Sequence, residues 1–243
     1  MTDLLGRVRD YWDADAATYD RSHGIATAAE RAAWNAVLKR LLPSEPARVL
    51  DVGAGTGFLS LLLAELGHEV TALDLSAGML ARLQTTAAQR GLDIAVVNGP
   101  AHEPPGDSFD VVTERHLLWV LPDPRATLAT WRRAAPDGRL VVLEGLWGGA
   151  DAAQAHRQRA REALRRFRGV PPAHHADHDP TLRDCLPFGH GTRPEAVVEA
   201  VEEAGWRHPE LERLRDVEWA RLLQLPFAER LLGVIPQYAV VAT

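Results

Sequence analysis

Nine residues from Val49 to Gly57, Val-Leu-Asp-Val-Gly-Ala-Gly-Thr-Gly, carry the strongest chemical signal in the chain. A short apolar run passes through Gly53, Gly55 and Gly57 into a helical pattern. Glycines permit a sharp turn and a close approach of backbone to ligand, and the helix that follows offers unpaired amide donors. Asp74 closes the next apolar run, where a carboxylate can accept both hydroxyls of an adenosine ribose. A third feature is Thr113-Glu-Arg-His-Leu-Leu-Trp119, at the end of the fourth apolar run. Arg115, His116 and Trp119 fall there where an acceptor would meet the reacting group. His116 suits proton transfer near neutrality, and the plainer reading is a ring that only shapes the pocket. Trp12, Trp119 and Trp147 lie near the same expected mouth, where aromatic walls suit a flat apolar molecule. Core packing is the alternative for each.

The glycine spacing separates two ligand classes. Nicotinamide enzymes want GxGxxG, which would put a glycine at position 58, and that residue is Phe58. The spacing here is GxGxG, preceded by Asp51. An acidic residue so close to the loop suits a ligand with an ammonium group and suits a pyrophosphate poorly. S-Adenosylmethionine, with a cationic sulfonium, an α-amino group and no phosphate, meets that demand. Two alternatives remain: an NAD(P)-dependent oxidoreductase, and a protein that binds the sulfonium without transferring its methyl group. Methyl transfer is an in-line displacement, in which the protein aligns the acceptor and excludes water.

Such groups need a frame that gathers the ends of several strands. Residues 46–145 alternate short β-branched runs with helical patterns. Strands are predicted at Ala47–Val52, Glu69–Leu73, Ile94–Val97, Phe109–Thr113 and Arg139–Leu143. Helices are predicted at Phe58–Leu66, stopped by Gly67, from Ser76 to about Arg90, stopped by Gly91, and at Pro124–Ala135 with proline at its first position. That alternation implies an α/β fold with a parallel sheet and ligands beyond the strands' carboxyl ends. Residues 1–45 read as a helical N-terminal arm and 146–193 as an insertion covering the acceptor. Residues 194–243 hold a helix at Pro194–Ala204 and strands at Glu210–Val217 and Gln237–Ala242 that pair as a terminal hairpin. The whole reads as one domain.

DVGAGTG, LDLS at 73–76, FDVV at 109–112 and PDGRLVVLE at 136–144 resemble the successive motifs of class I S-adenosylmethionine-dependent methyltransferases, in particular the small-molecule type 11 group. The resemblance covers residues 8–145 well and the rest in outline. It implies a Rossmann-like seven-stranded sheet, six strands parallel and the last antiparallel, with helices on both faces. Asp51, Gly53, Ala54, Gly55 and Gly57 would hold the methionine portion, and Asp74 the ribose. Leu75 and Met79 would pack near the adenine, with Ala101 and His102 at its edge. Pro100 replaces the acidic residue that the group often carries there, so His102 or backbone must serve the adenine amino group. The start Asp10-Tyr-Trp-Asp-Ala-Asp-Ala-Ala-Thr-Tyr-Asp20 resembles the group's arm over the cofactor. Tyr11 and Tyr19 are its candidates for the cofactor carboxylate, Tyr19 joins His116 in the catalytic set, and Arg115 completes the cofactor contacts.

Across its 243 residues the chain has 27 Lys+Arg against 33 Asp+Glu. A net negative charge argues against nucleic acid as partner. Lys39 is the only lysine, a bias that reads first as genomic composition. Residues 154–168 nevertheless gather six arginines and one glutamate. Ala160, Ala163, Leu164 and Phe167 share one side there, as in an amphipathic helix; a solvated lid and a dock for an anionic partner both fit. His174, His175 and His178, with Asp177 and Asp179, lack the regular spacing of a preformed metal site and read as a surface loop, so no metal is expected. Cys185 is expected to be a small buried hydrophobe. No apolar run reaches membrane-span length and the start lacks a secretory pattern, so a cytoplasmic protein without a membrane partner is expected, as monomer or homodimer.

Overall fold

The computed structural model describes residues 2–106, 108–146, 152–169 and 180–243. In chain order its elements are α1 (Thr2–Asp15), α2 (Asp20–His23), α3 (Ala28–Leu41), β1 (Arg48–Val52), α4 (Phe58–Glu65), β2 (Glu69–Asp74), α5 (Ala77–Arg90), β3 (Ile94–Asn98), β4 (Val111–Arg115), a 3-10 turn at Leu118–Val120, α6 (Pro124–Ala134), β5 (Arg139–Gly145), α7 (Ala152–Phe167), α8 (Pro180–Asp184), α9 (Pro194–Glu203), β6 (Glu210–Arg213), α10 (Arg215–Gln224), α11 (Phe227–Arg230) and β7 (Gln237–Ala242).

The strands form one seven-stranded sheet in the order β3-β2-β1-β4-β5-β7-β6. All neighbours from β3 to β5 pair parallel, and β7 is antiparallel to both β5 and β6. Six strands therefore share one direction, as expected. Alternate residues of each strand serve the two faces. Leu50, Val112, Leu140 and Val142 pack with Leu128 and Trp131 of α6 and Val197 and Val201 of α9. Val49, Val111 and Val141 pack with Trp34, Val37 and Leu38 of α3 and with Leu59, Leu62 and Leu63 of α4. Burial on both faces explains why β1 and β4 read as continuous apolar runs. Trp34, Trp131 and Trp206 are buried core residues.

Local signals placed the helix ends. Ser76 accepts a hydrogen bond from the Met79 amide, and Asp123 from the Ala126 amide ahead of Pro124. Gly91 ends α5 in the left-handed region. The terminal hairpin is corrected. β6 and β7 do pair antiparallel, but β6 stops at Arg213 and the helices α10 and α11 intervene. Leu214, Val217 and Ala220 are all buried at helical spacing, so this core face overrides a strand through Val217.

Two further expectations shift. Cys185 is exposed, not buried. The apolar side of α7 is not sealed: Ala163 is exposed and Phe167 is 90% exposed, while Ala160 and Leu164 are half-buried. Arg161 reaches the Gly233 carbonyl and Arg168 pairs with Glu229, tying α7 to the loop around α11. The histidine-rich stretch His174, His175, Asp177, His178 and Asp179 lies outside the described residues. Among the described residues no His, Cys, Asp and Glu group is arranged to hold a metal, and no helix is long and apolar enough to cross a membrane.

Candidate active site

β1 ends at Val52 and the chain turns back through three glycines in left-handed conformation, Gly53 (φ 67°), Gly55 (φ 56°) and Gly57 (φ 93°). A side chain is excluded at two of them by space as well as by angle. A Cβ on Gly53 would lie 2.8 Å from Leu117 Cδ1, and one on Gly57 2.7 Å from Leu83 Cγ. The amides of Gly53 and Ala54 donate to the Leu73 carbonyl, which locks the loop to the end of β2. Asp74, last residue of β2, takes the Gly55 amide on Oδ2 (2.8 Å) and the Ser76 amide on Oδ1 (2.7 Å). Burial raises its pKa to about 6 against those hydrogen bonds. Asp74 thus serves the loop first, and each oxygen retains accepting capacity towards the cleft.

The cleft lies beyond the carboxyl ends of β1, β2 and β4 and encloses about 830 Å³, its open mouth included. Of the residues singled out in the sequence, Trp12, Tyr19, Gly53, Gly55, Asp74, Leu75, Met79, Pro100, Ala101, His102, Arg115 and His116 line it. Leu5 and Val8 of α1 add an apolar wall that sequence reasoning missed. The Ala101 carbonyl accepts from Trp131 Nε1 (2.7 Å), which fixes the loop after β3 to the core.

Five expected residues are not on the cleft wall. Asp51 is buried beneath the loop, where its carboxylate accepts from the Ser60 and Thr113 hydroxyls and burial raises its pKa to about 6. It supports the loop from below. Ala54 and Gly57 belong to the turn but face the core. Tyr11 stands edge-on to Trp12 at 5.0 Å and Trp119 edge-on to Trp12 at 6.3 Å, so both pack against Trp12. Trp147 lies outside the described residues.

The N-terminal arm closes one side. Asp13 Oδ1 accepts from the Ser76 hydroxyl and from the Gly78 amide (2.9 Å), pinning α1 to the start of α5. The Tyr19 ring stacks on His23 (4.5 Å between centroids) and meets Trp12 edge-on at 5.7 Å. Burial raises the Tyr19 pKa, with Arg115 opposing. Arg115 is itself buried: its guanidinium lies 3.5 Å over the Phe58 ring and donates to the His23 carbonyl. Burial lowers its pKa to about 10, so it stays cationic at neutral pH.

His116 follows β4 with φ 61°, a left-handed angle uncommon for a residue with a side chain. Its Nδ1 lies 3.4 Å from Oε2 of Glu144 in β5. Glu144 also accepts from the Leu118 amide and the Thr192 hydroxyl, and Tyr238 donates to the Thr192 carbonyl (2.8 Å). Glu114, one strand over, accepts from the Leu117 amide on Oε2, while its buried Oε1 has no hydrogen-bond partner. Burial, reinforced by Glu144, holds the Glu114 pKa well above the carboxylate range, and burial raises that of Glu144 to about 8. Burial first, then Arg115, Arg221 and His23, pushes the His116 pKa well below its ordinary value. Sequence reasoning missed both glutamates. Their one signal was an acidic residue next to last in each of two mostly apolar strands.

Residues 50–142 match the family described as "Methyltransferase domain". The demethylmenaquinone methyltransferase of Renibacterium salmoninarum is 35% identical over 137 residues, 55% of this chain and 56% of that protein. The ubiquinone biosynthesis O-methyltransferase of Xanthomonas campestris is 45% identical over 104 residues, 41% of this chain and 43% of that protein. The chain thus spans about half the length of the curated relatives it matches. Among solved structures, phosphoethanolamine N-methyltransferase 2 of Haemonchus contortus, in complex with S-adenosylhomocysteine, superposes with a TM-score of 0.63 at 17% identity, covering 99% of this chain and 59% of that one. Magnesium protoporphyrin IX methyltransferase of Synechocystis does so with 0.62 at 16% identity, covering 98% of both. Glycine turn, strand order and family match agree: residues 50–142 match a methyltransferase domain, and the fold is the one these solved methyltransferases share.

Proposed function

We propose that this protein transfers a methyl group from S-adenosylmethionine to a small molecule with a flat, apolar body, such as a phenol, indole or polyketide. The observation that carries the reading is the glycine turn tied to Asp74 at the bottom of a cleft walled by Trp12, Tyr19, Met79 and His116. That donor set fits the cofactor. Glycine backbone admits the methionine portion, the Asp74 carboxylate suits the ribose hydroxyls, and Met79 and Leu75 give the adenine an apolar bed. When bound, the sulfonium supplies the methyl group and leaves as a neutral thioether.

The protein's own task is alignment, water exclusion and disposal of a proton. Tyr19, from the arm, closes the cleft over the reacting centre. His116 takes the acceptor's proton on an imidazole that burial keeps neutral before the step. The methyltransferases of quinone and porphyrin pathways among the relatives and structural neighbours act on flat molecules, which supports an acceptor of that shape.

Methyl-labelled S-adenosylmethionine incubated with the protein and a panel of phenols, hydroquinones, indoles and amines tests the reading. Label in an aromatic product is the expected result. Tight NAD binding with no heat from the sulfonium or its demethylated product would overturn it. So would cofactor binding without label in any acceptor, which would favour a non-methylating binder.

A further inference from the structure

We propose that Glu144 is the positioning residue for His116: from the end of β5 it holds the imidazole by Nδ1, which makes Nε2 the nitrogen that takes the acceptor's proton. The inference rests on the reading of His116 as proton acceptor given above. A histidine acts as a directional base only when its tautomer and ring plane are set, and that is done by the group on its other nitrogen. Here that group is Glu144, 3.4 Å from Nδ1. Glu144 is itself immobilised, fully enclosed, with the Leu118 amide on one oxygen and the Thr192 hydroxyl on the other. Thr192 is held in turn by Tyr238 of β7. The chain of contacts runs from the sheet to the cleft wall without a solvent-exposed link.

Glu114 completes the arrangement. Two carboxylates enclosed side by side do not both ionise readily, because each charge raises the other's proton affinity. Glu114, with one oxygen lacking any donor, is the one that stays protonated. Glu144 ionises near pH 8 and then accepts from Nδ1–H. The charged groups facing His116 otherwise oppose a proton on it: Arg115 from β4, Arg221 from α10 and His23 from α2. Glu144 is the carboxylate against which an imidazolium can form. In the step itself, the acceptor's lone pair makes the new bond to carbon and the pair of the broken carbon–sulfur bond stays on sulfur. The acceptor's proton goes to Nε2, and Glu144 keeps its charge.

The test reads His116 directly by ¹⁵N NMR of its imidazole in cofactor-free protein, alongside turnover. In the wild type the His116 shifts should inflect near pH 8 and report the Nδ1–H tautomer above it. Glu144→Gln, which preserves shape, should remove the inflection. It should also lower kcat by roughly 10²-fold, flatten its rise through pH 8, and leave KM within about twofold. If that variant does not fold, Thr192→Val carries the test by freeing Glu144, with a smaller kcat loss of the same pattern. An Nε2–H tautomer in the wild type above pH 9, or the same inflection in Glu144→Gln, overturns the assignment even where label transfer succeeds. A wild-type protein with the expected tautomer but no label in any acceptor would instead sink the methyl-transfer reading and leave the Glu144–His116 contact standing.

Discussion

The two walls of the cleft are made by different means. The glycine wall is backbone: Gly53 and Gly55 in left-handed conformation, with the Gly55 amide tied down by one carboxylate, Asp74. The wall around His116 is side chain: Glu114, Glu144 and Thr192, buried and hydrogen-bonded, from two neighbouring strands and a distant loop. A backbone wall recognises a constant ligand through geometry that few substitutions can reproduce. A side-chain wall tunes protonation, because every member alters the charge its neighbours can hold. Variants of the first should therefore move affinity, and variants of the second should move turnover.

The largest effect is expected at His116. His116→Asn keeps a residue that tolerates φ 61° and removes the base, so kcat should drop roughly 10²–10³-fold while cofactor affinity stays unchanged. A parallel loss of affinity, read by calorimetry, would merge the two walls into one. Gly53→Val ranks next. A branched Cβ at φ 67°, pressed on Leu117, should weaken cofactor binding by about 30- to 100-fold. Residual turnover at saturating cofactor should survive, and unchanged affinity would refute the backbone account of that wall.

The glycine wall was legible because its chemistry is local. Gly53, Gly55 and Gly57 lie within five residues, and Asp74 closes the very next strand, so type and spacing were enough. The acid pair was not legible. Glu114 and Glu144 stand thirty residues apart and meet only because β4 and β5 pair in register, Arg115 opposite Leu143. In sequence each is one acidic residue near the end of a mostly apolar run. The support beneath the loop was hidden for a related reason: spacing put Asp51 beside the ligand loop, and only the fold brings the Ser60 hydroxyl, one turn into α4, onto its carboxylate. The α10 helix eluded a strand reading because Leu214 and Val217 reveal their shared face only once α3 is packed against them.

The smallest effect concerns stability. Folded Glu144 keeps until about pH 8 a proton that the unfolded chain releases near 4.5. Across that window the folded state binds more protons than the unfolded one, so stability falls as pH rises. Asp51 and Asp74, both raised to about 6, act with the same sign at lower pH. Between pH 6 and 8 the Tm of the wild type should therefore fall more steeply than that of Glu144→Gln, by about 5–9 °C. Equal slopes would show that the acid pair is not protonated as described.

The most direct test of the central claim, that the glycine turn and Asp74 form a cofactor site, is calorimetric titration of S-adenosylhomocysteine into wild type and Asp74→Ala. The account predicts a single site in the wild type, and affinity lower by about 10- to 100-fold in the variant, the loss of a charged hydrogen-bond acceptor. No binding to the wild type, or equal affinity in the two proteins, would contradict it.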